Sequence, residues 1–229
     1  MPLVYQQNIN ATTKIGVWHI AEAEDFFLRQ VPLQRTITHW HKRLQHLAGR
    51  LLLKELYPQF PLGEILIADT KKPFLQNAAW HFSISHSGDY AAAMVSKEYR
   101  VGVDVEWGNP KIVEIRHKFL NGEEWEVGSG KWAIGNEQWA IGNEQLATSN
   151  IQHSTFNIEL LTLCWSVKEA VYKWWGLGGV DFKKDILIRS ISGDAHQGIV
   201  HCVFKNDTML NVHFLHLNDN YLTWVLTGR

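Results

Sequence analysis

The chain has 229 residues, 45% of them hydrophobic, and a formal net charge of -1 at pH 7. This length allows one large domain or two small ones, and the hydrophobic content is ample for a core. The near-zero charge argues against a nucleic-acid binder that relies on overall basicity. The two cysteines make no disulfide framework and fit a reducing cytoplasm. Because no signal-peptide pattern and no apolar run of membrane-spanning length is present, we expect no membrane association.

The first half of the chain alternates short strands with one long helix. Alternating apolar residues predict strands at 14–20, 64–68, 80–85, 90–96 and 100–106. A helix is predicted from about Thr38 to Leu56, ending before Pro58, because apolar residues recur at helical spacing. These apolar positions are Trp40, Leu44, Leu47 and Leu51. We interpret the basic residues on another side mainly as a solvated face. They are Arg43, Arg50 and Lys54.

A polar segment, Ser85-His86-Ser87-Gly88, follows the predicted strand at 80–85 and indicates a turn. Its two hydroxyls, imidazole and glycine can offer several hydrogen-bond donors to a phosphate. It could equally be a local turn network. The serine and histidine are weak support for a hydrolase, because no G-x-S-x-G elbow is present and adjacent residues do not easily form the required relay.

The strand at 100–106 carries two carboxylates on one face. Three valines alternate with Gly102, Asp104 and Glu106, so the valines face a core and the carboxylates share the other face. Neighbours on one face of a strand lie about 6–7 Å apart, close enough to hold one hard cation. A same-face acidic pair is more often a solvated edge, so the pair alone does not establish a metal site.

A second helix is predicted at 165–175 and carries a third carboxylate. Its apolar stripe comprises Val167, Ala170, Val171 and Trp174. The opposite side comprises Trp165, Lys168, Glu169, Tyr172 and Lys173. Glu169 and Lys173 are one turn apart, which alone is an ordinary helix pair. Mg²⁺ combines a few carboxylates with water and phosphate oxygens, and a lysine can act as a point charge on the remaining phosphate.

These elements predict an α+β fold of two similar halves, each with an antiparallel sheet and helices, arranged as a pseudo-dimer. The first half spans 1–107 and the second 108–229. The second half adds a helix near 111–127 and strands near 185–191, 198–204, 209–217 and 221–227. A metal site would lie between the halves, because Asp104 and Glu106 close the first half and Glu169 belongs to the second.

A perfect tandem repeat lies in the second half, with WAIGNEQ at Trp132–Gln138 and again at Trp139–Gln145. Two copies are too few for a solenoid. We interpret the repeat as a duplication in a tolerant surface loop within a variable segment at 128–150. An insertion without function is the favoured interpretation.

Three segments together resemble the 4′-phosphopantetheinyl transferases. They are FSISHSGDYAAAMVS (82–96), VGVDVE (101–106) and WSVKEAVYK (165–173), with Lys72-Pro73 before the first. The family carries F-N-x-S-H-S, G-[IV]-D-x-E and W-[ST]-x-K-E-[AS]-x-x-K blocks in this order. The resemblance covers roughly 35–190 and is greatest to the larger, pseudo-dimeric class that includes the surfactin-synthetase activator.

The resemblance implies Mg²⁺-dependent transfer of phosphopantetheine from coenzyme A to a serine of an apo acyl or peptidyl carrier protein, releasing 3′,5′-ADP. Asp104, Glu106 and Glu169 would bind Mg²⁺, or Mn²⁺, with the pyrophosphate. Glu169 would also be the base, Lys173 would contact the transferring or leaving phosphate, and Asp104 completes the catalytic set. Coenzyme A contacts would be Arg35, Lys72, Pro73, Ser85, His86, Lys168 and Lys173, with Ser85 and His86 at the 3′-phosphate. The enzyme would be a monomer.

The chain departs from the family pattern at three places. Ser83 stands where many relatives have asparagine, Lys72 lacks the usual preceding glycine, and Leu177 replaces a frequent lysine. None of these removes a metal ligand, so we expect an active enzyme. Two other classes remain open: a different Mg²⁺-dependent phosphoryl or pyrophosphate enzyme, and a non-catalytic module that binds coenzyme A or a carrier protein.

Overall fold

The computed structural model describes residues 2–77, 79–126, 133–134, 137–138 and 158–228. It contains two main antiparallel sheets, each covered by one long helix, which confirms the predicted α+β class. No helix within the described ranges combines the length and apolar character needed to cross a membrane. The tandem repeat lies outside the described residues, except for two short paired strands, Ala133–Ile134 (β8) and Glu137–Gln138 (β9).

The first sheet has the strand order β1-β2-β6-β5. Its strands are β1 (Leu3–Asn10), β2 (Thr13–His19), β5 (His81–Ser87) and β6 (Tyr90–Ser96). Before the long helix α2 (Trp40–Leu56) comes a short one, α1 (Glu24–Leu28). The apolar side of α2 packs on this sheet, with Leu47 and Leu51 of α2 and Phe82 of β5 in the shared core. A small hairpin, β3 (Leu66–Ile67) and β4 (Pro73–Phe74), links α2 to β5.

The second sheet has the order β10-β11-β12-β13-β7. Its strands are β7 (Arg100–Trp107), β10 (Ile186–Gly193), β11 (Gln197–Phe204), β12 (Thr208–Leu217) and β13 (Asn220–Thr227). Helix α5 (Ile158–Trp175) packs across it, and α3 (Ile112–Ile115) and α4 (Gly122–Glu126) cover one end. The predicted stripe of α5 is buried in this core through Val167, Ala170 and Val171.

Strand β7 joins the two halves of the molecule. It pairs with β13 in the second sheet, where Asp104 lies opposite Thr223. The predicted boundary between the halves, after residue 107, instead assigns β7 to the first half. Its valines pack against β2 and β6 of the first sheet, as the alternation predicts. The opposite face touches α5 directly. A Cβ atom on Gly102 would lie 2.1 Å from the Ala170 carbonyl oxygen, so only glycine permits this approach.

Several predicted elements differ from the structure. The segment Ser85-His86-Ser87, predicted as a turn, continues β5, because Ser87 pairs with Tyr90 of β6. Strand β1 has no counterpart among the predicted elements, and the helix predicted near 111–127 divides into α3 and α4. On α2, Trp40 was predicted to face the core and is 63% exposed, whereas Arg50 was assigned to a solvated face and is buried.

Candidate active site

The carboxylates of β7 meet a row of serines on the edge of the first sheet. Ser83, Ser85 and Ser87 point to the same side of β5 because strand side chains alternate, and we call them the serine ladder. The Ser83 hydroxyl accepts a hydrogen bond from the Val103 N–H at 3.1 Å. Ser85 and Ser87 donate to the carboxylates of Asp104 and Glu106, respectively. The first sheet therefore helps to place both acidic side chains.

Asp104 is the most heavily hydrogen-bonded carboxylate at this junction and is 3% exposed. Its Oδ1 accepts from Lys173 Nζ at 2.5 Å and from Ser85 Oγ at 2.7 Å. Its Oδ2 accepts from Ser166 Oγ on α5 at 2.8 Å. A buried carboxylate is costly unless it is paired and hydrogen-bonded, and these donors supply both. Asp104 is thus held by β5 and α5 together.

Glu169 experiences the negative charge of this junction. Burial, together with the charges of Asp104 and Glu106 and opposed by Lys173, raises its pKa to about 7. The Lys173 Nζ lies 3.9 Å from Glu169 Oε2. Burial also raises the pKa of Glu106, with Asp104 contributing and the hydrogen bond from Ser87 opposing. The three carboxylates therefore share one electrostatic environment.

This carboxylate set fits a hard cation by its chemistry. Oxygen ligands of this kind suit Mg²⁺, and mutually repelling carboxylates favour a positive group among them. In the present side-chain arrangement, no three Asp, Glu, His or Cys side chains of the described ranges converge closely enough to bind a metal ion. The amine of Lys173 instead bonds Asp104 Oδ1.

A cavity of about 290 Å³ opens beside the carboxylates, between the two halves. Its walls come from α2, the β3–β4 hairpin, β5 and the end of α5. Six lysines and arginines line it, and none of its described lining residues is acidic. They are Arg35, Lys42, Arg50, Lys71, Lys72 and Lys173. A cavity with this lining favours a ligand that carries several negative charges.

The cations of the cavity repel one another and are partly removed from water. Burial and the charge of Arg35 together lower the pKa of Arg50 to about 10. Burial and the charge of Arg100 lower the pKa of Lys72 to about 8. The exposed His86 lines the cavity, and desolvation of its ring, with Lys42 assisting, lowers its pKa to about 4. An anionic ligand would relieve this repulsion.

His46 supplies a neutral donor within this cationic cavity. Its Nδ1 lies 3.2 Å from Arg50 Nη1, which can only donate, so the ring proton resides on Nε2. Arg50 is fixed in turn by donating to Gln34 Oε1 at 2.9 Å. The buried His46 Nε2 has no hydrogen-bond partner in the part of the chain that the structure describes. Burial, followed by Arg50 and Arg35, lowers the pKa of His46 to about 3.

The low pKa of His46 predicts a pH dependence of folding stability. Unfolded His46 binds a proton below its ordinary pKa of 6.5, whereas the folded residue stays neutral until about 3. The unfolded state therefore binds more protons in this window, and the free energy of unfolding falls as the pH falls. We expect His46→Asn to show a shallower decline than the wild type in urea unfolding. The exposed His117→Asn is the control, and parallel slopes for His46→Asn and the wild type would contradict this account.

Most predicted ligand contacts lie in the cavity, but two do not. Arg35, Lys72, Pro73, His86 and Lys173 line it. Ser85 was predicted to contact the same ligand group as its neighbour His86. Strand alternation directs it instead toward the carboxylates, where it contacts Asp104 and Lys173. Lys168 was predicted at the ligand and lies in the second core.

Lys168 bonds groups that are distant in sequence. Its Nζ lies 2.8 Å from both carboxylate oxygens of Glu124 and is also bonded to three backbone carbonyls. These belong to Phe119, Phe182 and Ile186. The expected ligand contact of Lys168 came from the family resemblance, and helix spacing does not reveal a partner 44 positions away.

The cavity also contains residues that the sequence interpretation did not select. They are Lys42, Gln45, His46, Arg50, Lys71 and Tyr172. The four-residue spacing of His46 and Arg50 on α2 was an available signal, because such residues are neighbours on a helix. Leu177, noted as a departure from the family, is 67% exposed.

A contact between the hairpin and α5 closes the cavity at one end. Lys72 Nζ donates to the Lys173 carbonyl at 2.5 Å. It passes over Gly176, whose φ is +71° and where an added Cβ would lie 2.3 Å from that nitrogen. Glycine is required here both for the positive φ and for the space. The hairpin and the end of α5 therefore hold Lys72 beside Lys173.

The family comparison matches the part of the chain that contains β7 and α5. The family model of the 4′-phosphopantetheinyl transferase superfamily matches residues 100–226. The chain is 32% identical over 99 residues to the 4′-phosphopantetheinyl transferase AcpT of Salmonella typhimurium, covering 43% of this chain and 47% of the relative. It is 39% identical over 71 residues to AcpT of Escherichia coli K12, covering 31% and 35%. The chain thus spans less than half the length of these relatives.

Proposed function

Since the chain belongs to the 4′-phosphopantetheinyl transferase superfamily, we propose that it transfers the phosphopantetheine arm of coenzyme A to a carrier-protein serine. The acceptor is an apo acyl or peptidyl carrier protein, and the second product is 3′,5′-ADP. The observation that carries the proposal is a cavity lined by six cations and no described acid, directly beside three electrostatically coupled carboxylates. We further propose that the enzyme acts as a monomer of the larger, two-sheet class.

The cavity chemistry supports coenzyme A as the ligand. Its pyrophosphate and 3′-phosphate carry several negative charges, which the lysines and arginines can neutralise. The neutral His46 offers its Nε2 proton to a phosphate oxygen, which can only accept. Its partner Arg50 keeps the proton on that nitrogen. Lys72 and Pro73 form part of the wall proposed for the adenine end, and His86, in the same lining, is proposed to contact the 3′-phosphate.

Asp104, Glu106 and Glu169 are the residues that would hold Mg²⁺, or Mn²⁺, in this site. When bound, the cation supplies charge neutralisation on the pyrophosphate and on the leaving group. Lys173 contributes a second positive charge from α5, because its amine reaches both the cavity and the carboxylates. A phosphate in the cavity offers this amine an alternative to Asp104.

A residue of this chain also removes the proton from the attacking serine hydroxyl. The oxygen of the carrier serine attacks the phosphorus next to pantetheine, and the bond from that phosphorus to the 3′,5′-ADP oxygen breaks. Glu169 removes the serine proton, directly or through water, because an unassisted serine hydroxyl is a poor nucleophile. Lys173 stabilises the charge on the departing oxygen.

The intact mass of an apo acyl carrier protein tests the proposal. The carrier is incubated with this protein, coenzyme A and Mg²⁺. We expect a gain of one phosphopantetheine arm, and EDTA should prevent it. If no carrier type, acyl or peptidyl, gains mass and coenzyme A does not bind, the proposal is wrong. Binding without any transfer would point instead to a non-catalytic module.

Glu169→Gln tests the role of this residue in catalysis. The variant keeps the size of the side chain but can neither take a proton nor provide a full negative charge. We expect kcat to fall by about 10²–10⁴-fold, measured by the same mass assay under initial-rate conditions. Coenzyme A affinity, measured by calorimetry, should change much less. Glu159→Gln, at the exposed start of the same helix, is the matched control. Equal rates for the two variants would exclude Glu169 as the base.

A further inference from the structure

The two halves of the molecule meet at two strand edges that share no backbone ladder. Strand β5 is the last strand of the first sheet, and β7 is the last strand of the second. The serine ladder crosses this junction with three hydrogen bonds: Ser83 accepts from the Val103 N–H, and Ser85 and Ser87 donate to the carboxylates of Asp104 and Glu106. The relative position of β5 and β7 is therefore set by side-chain contacts and not by backbone pairing. Two of the three contacts end on carboxylates of the proposed site.

Ser87 is the serine of the ladder whose carboxylate partner has the fewest other hydrogen-bond donors. Its hydroxyl donates to Glu106 Oε1 at 2.5 Å. The Ser87 backbone pairs with Tyr90 of β6, so the strand fixes the direction of the hydroxyl. Asp104 differs, because Lys173 and Ser166 hold it in addition to a serine. No other side-chain hydrogen bond to the Glu106 carboxylate is found among the described residues.

We propose that Ser87 is a positioning residue for Glu106. A glutamate side chain has three rotatable bonds, and the end of β7 leaves Glu106 only partly buried. The hydroxyl occupies Oε1 and leaves Oε2 without a side-chain hydrogen-bond donor among the described residues. This arrangement keeps one carboxylate oxygen available for a cation and its phosphate ligand. Groups that orient a metal-binding side chain typically change metal affinity by about 10–100-fold when they are removed.

The inference rests on the proposed function, and the test separates the two. Free Mn²⁺ is measured by electron paramagnetic resonance while Mn²⁺ is titrated into the protein with coenzyme A. For Ser87→Ala we expect about 10-fold weaker Mn²⁺ binding than for the wild type. Ser87→Thr keeps a hydroxyl and should restore the affinity. Transfer by Ser87→Ala should require a correspondingly higher Mn²⁺ concentration, with a smaller change in kcat at saturating metal.

Ser83→Ala is the matched control from the same ladder. It removes the acceptor of the Val103 N–H and should lower the melting temperature without changing Mn²⁺ affinity. Equal affinity of Ser87→Ala and wild type would overturn the positioning role while leaving the proposed function intact. Equal weakening by Ser83→Ala and Ser87→Ala would also overturn it, because the ladder would then act only through the fold. Failure of the wild type to bind Mn²⁺ with coenzyme A would count against the proposed metal site itself.

Discussion

Asp104→Ala should reduce phosphopantetheine transfer below detection. The carboxylate accepts hydrogen bonds from Lys173, Ser85 and Ser166, and it would also be a ligand of the cation. Its removal leaves the Lys173 amine without its nearest anion and lets it move within the cavity. It also removes one of three negative groups that favour a cation. The loss should therefore affect both the metal requirement and the placement of the phosphate.

The intact-mass assay with apo carrier protein, coenzyme A and excess Mg²⁺ measures this effect. Asp89→Ala is the matched control, because this aspartate follows Ser87 closely and its side chain is 64% exposed. The control should retain wild-type transfer. Circular dichroism shows whether Asp104→Ala remains folded. Turnover at the wild-type rate by folded Asp104→Ala would refute the assignment of the site.

Lys168→Ala should produce the largest loss of stability among single substitutions in α5. The ammonium group is fully buried and paired with Glu124, whose side chain is 3% exposed. Glu124 also accepts from the Ile188 N–H and the Asn121 N–H. Breaking a buried ion pair by removing one partner costs about 3–5 kcal/mol, because the other charge stays buried without compensation. The pair thus connects α5, α4 and β10.

Urea unfolding measures this loss as a decrease in the free energy of unfolding. Lys184→Ala removes an exposed amine 3.9 Å from Asp181 and should cost less than about 1 kcal/mol. The double variant Lys168→Met, Glu124→Leu should recover part of the stability, because apolar groups of similar volume remove both buried charges. A loss for Lys168→Ala no greater than for Lys184→Ala would show that the buried pair contributes little.

Local periodicity predicted the core-facing residues of both central elements, but it assigned the buried Lys168 to the polar side of α5. The alternation at β7 correctly separates the core valines from Asp104, and the stripe of α5 is buried as expected. Periodicity could not identify the sheet that β7 joins. Pairing with β13 depends on contacts between residues more than a hundred positions apart, such as Asp104 and Thr223. A strand pattern gives its two faces but no partner.

The errors at single residues have similar causes. Ser85-His86-Ser87-Gly88 has a composition typical of turns, yet pairing with β6 extends the strand and turns Ser85 away from His86. Arg50 resembles a solvated helix residue until Gln34 and His46 are seen to bind it. Tertiary partners override local preference in both cases. The candidate site residues came from the family resemblance, since periodicity alone gives no tertiary partner.

Gly102 has no functional group, yet a substitution at this position should disturb the site. The glycine allows β7 to touch the backbone of α5, and these two elements carry all three carboxylates of the site. A methyl group at residue 102 would push β7 and α5 apart, although none of the proposed catalytic side chains would be changed. Inactive variants recovered from a genetic screen can therefore map to Gly102. A comparison limited to the proposed catalytic side chains would find no change in such variants.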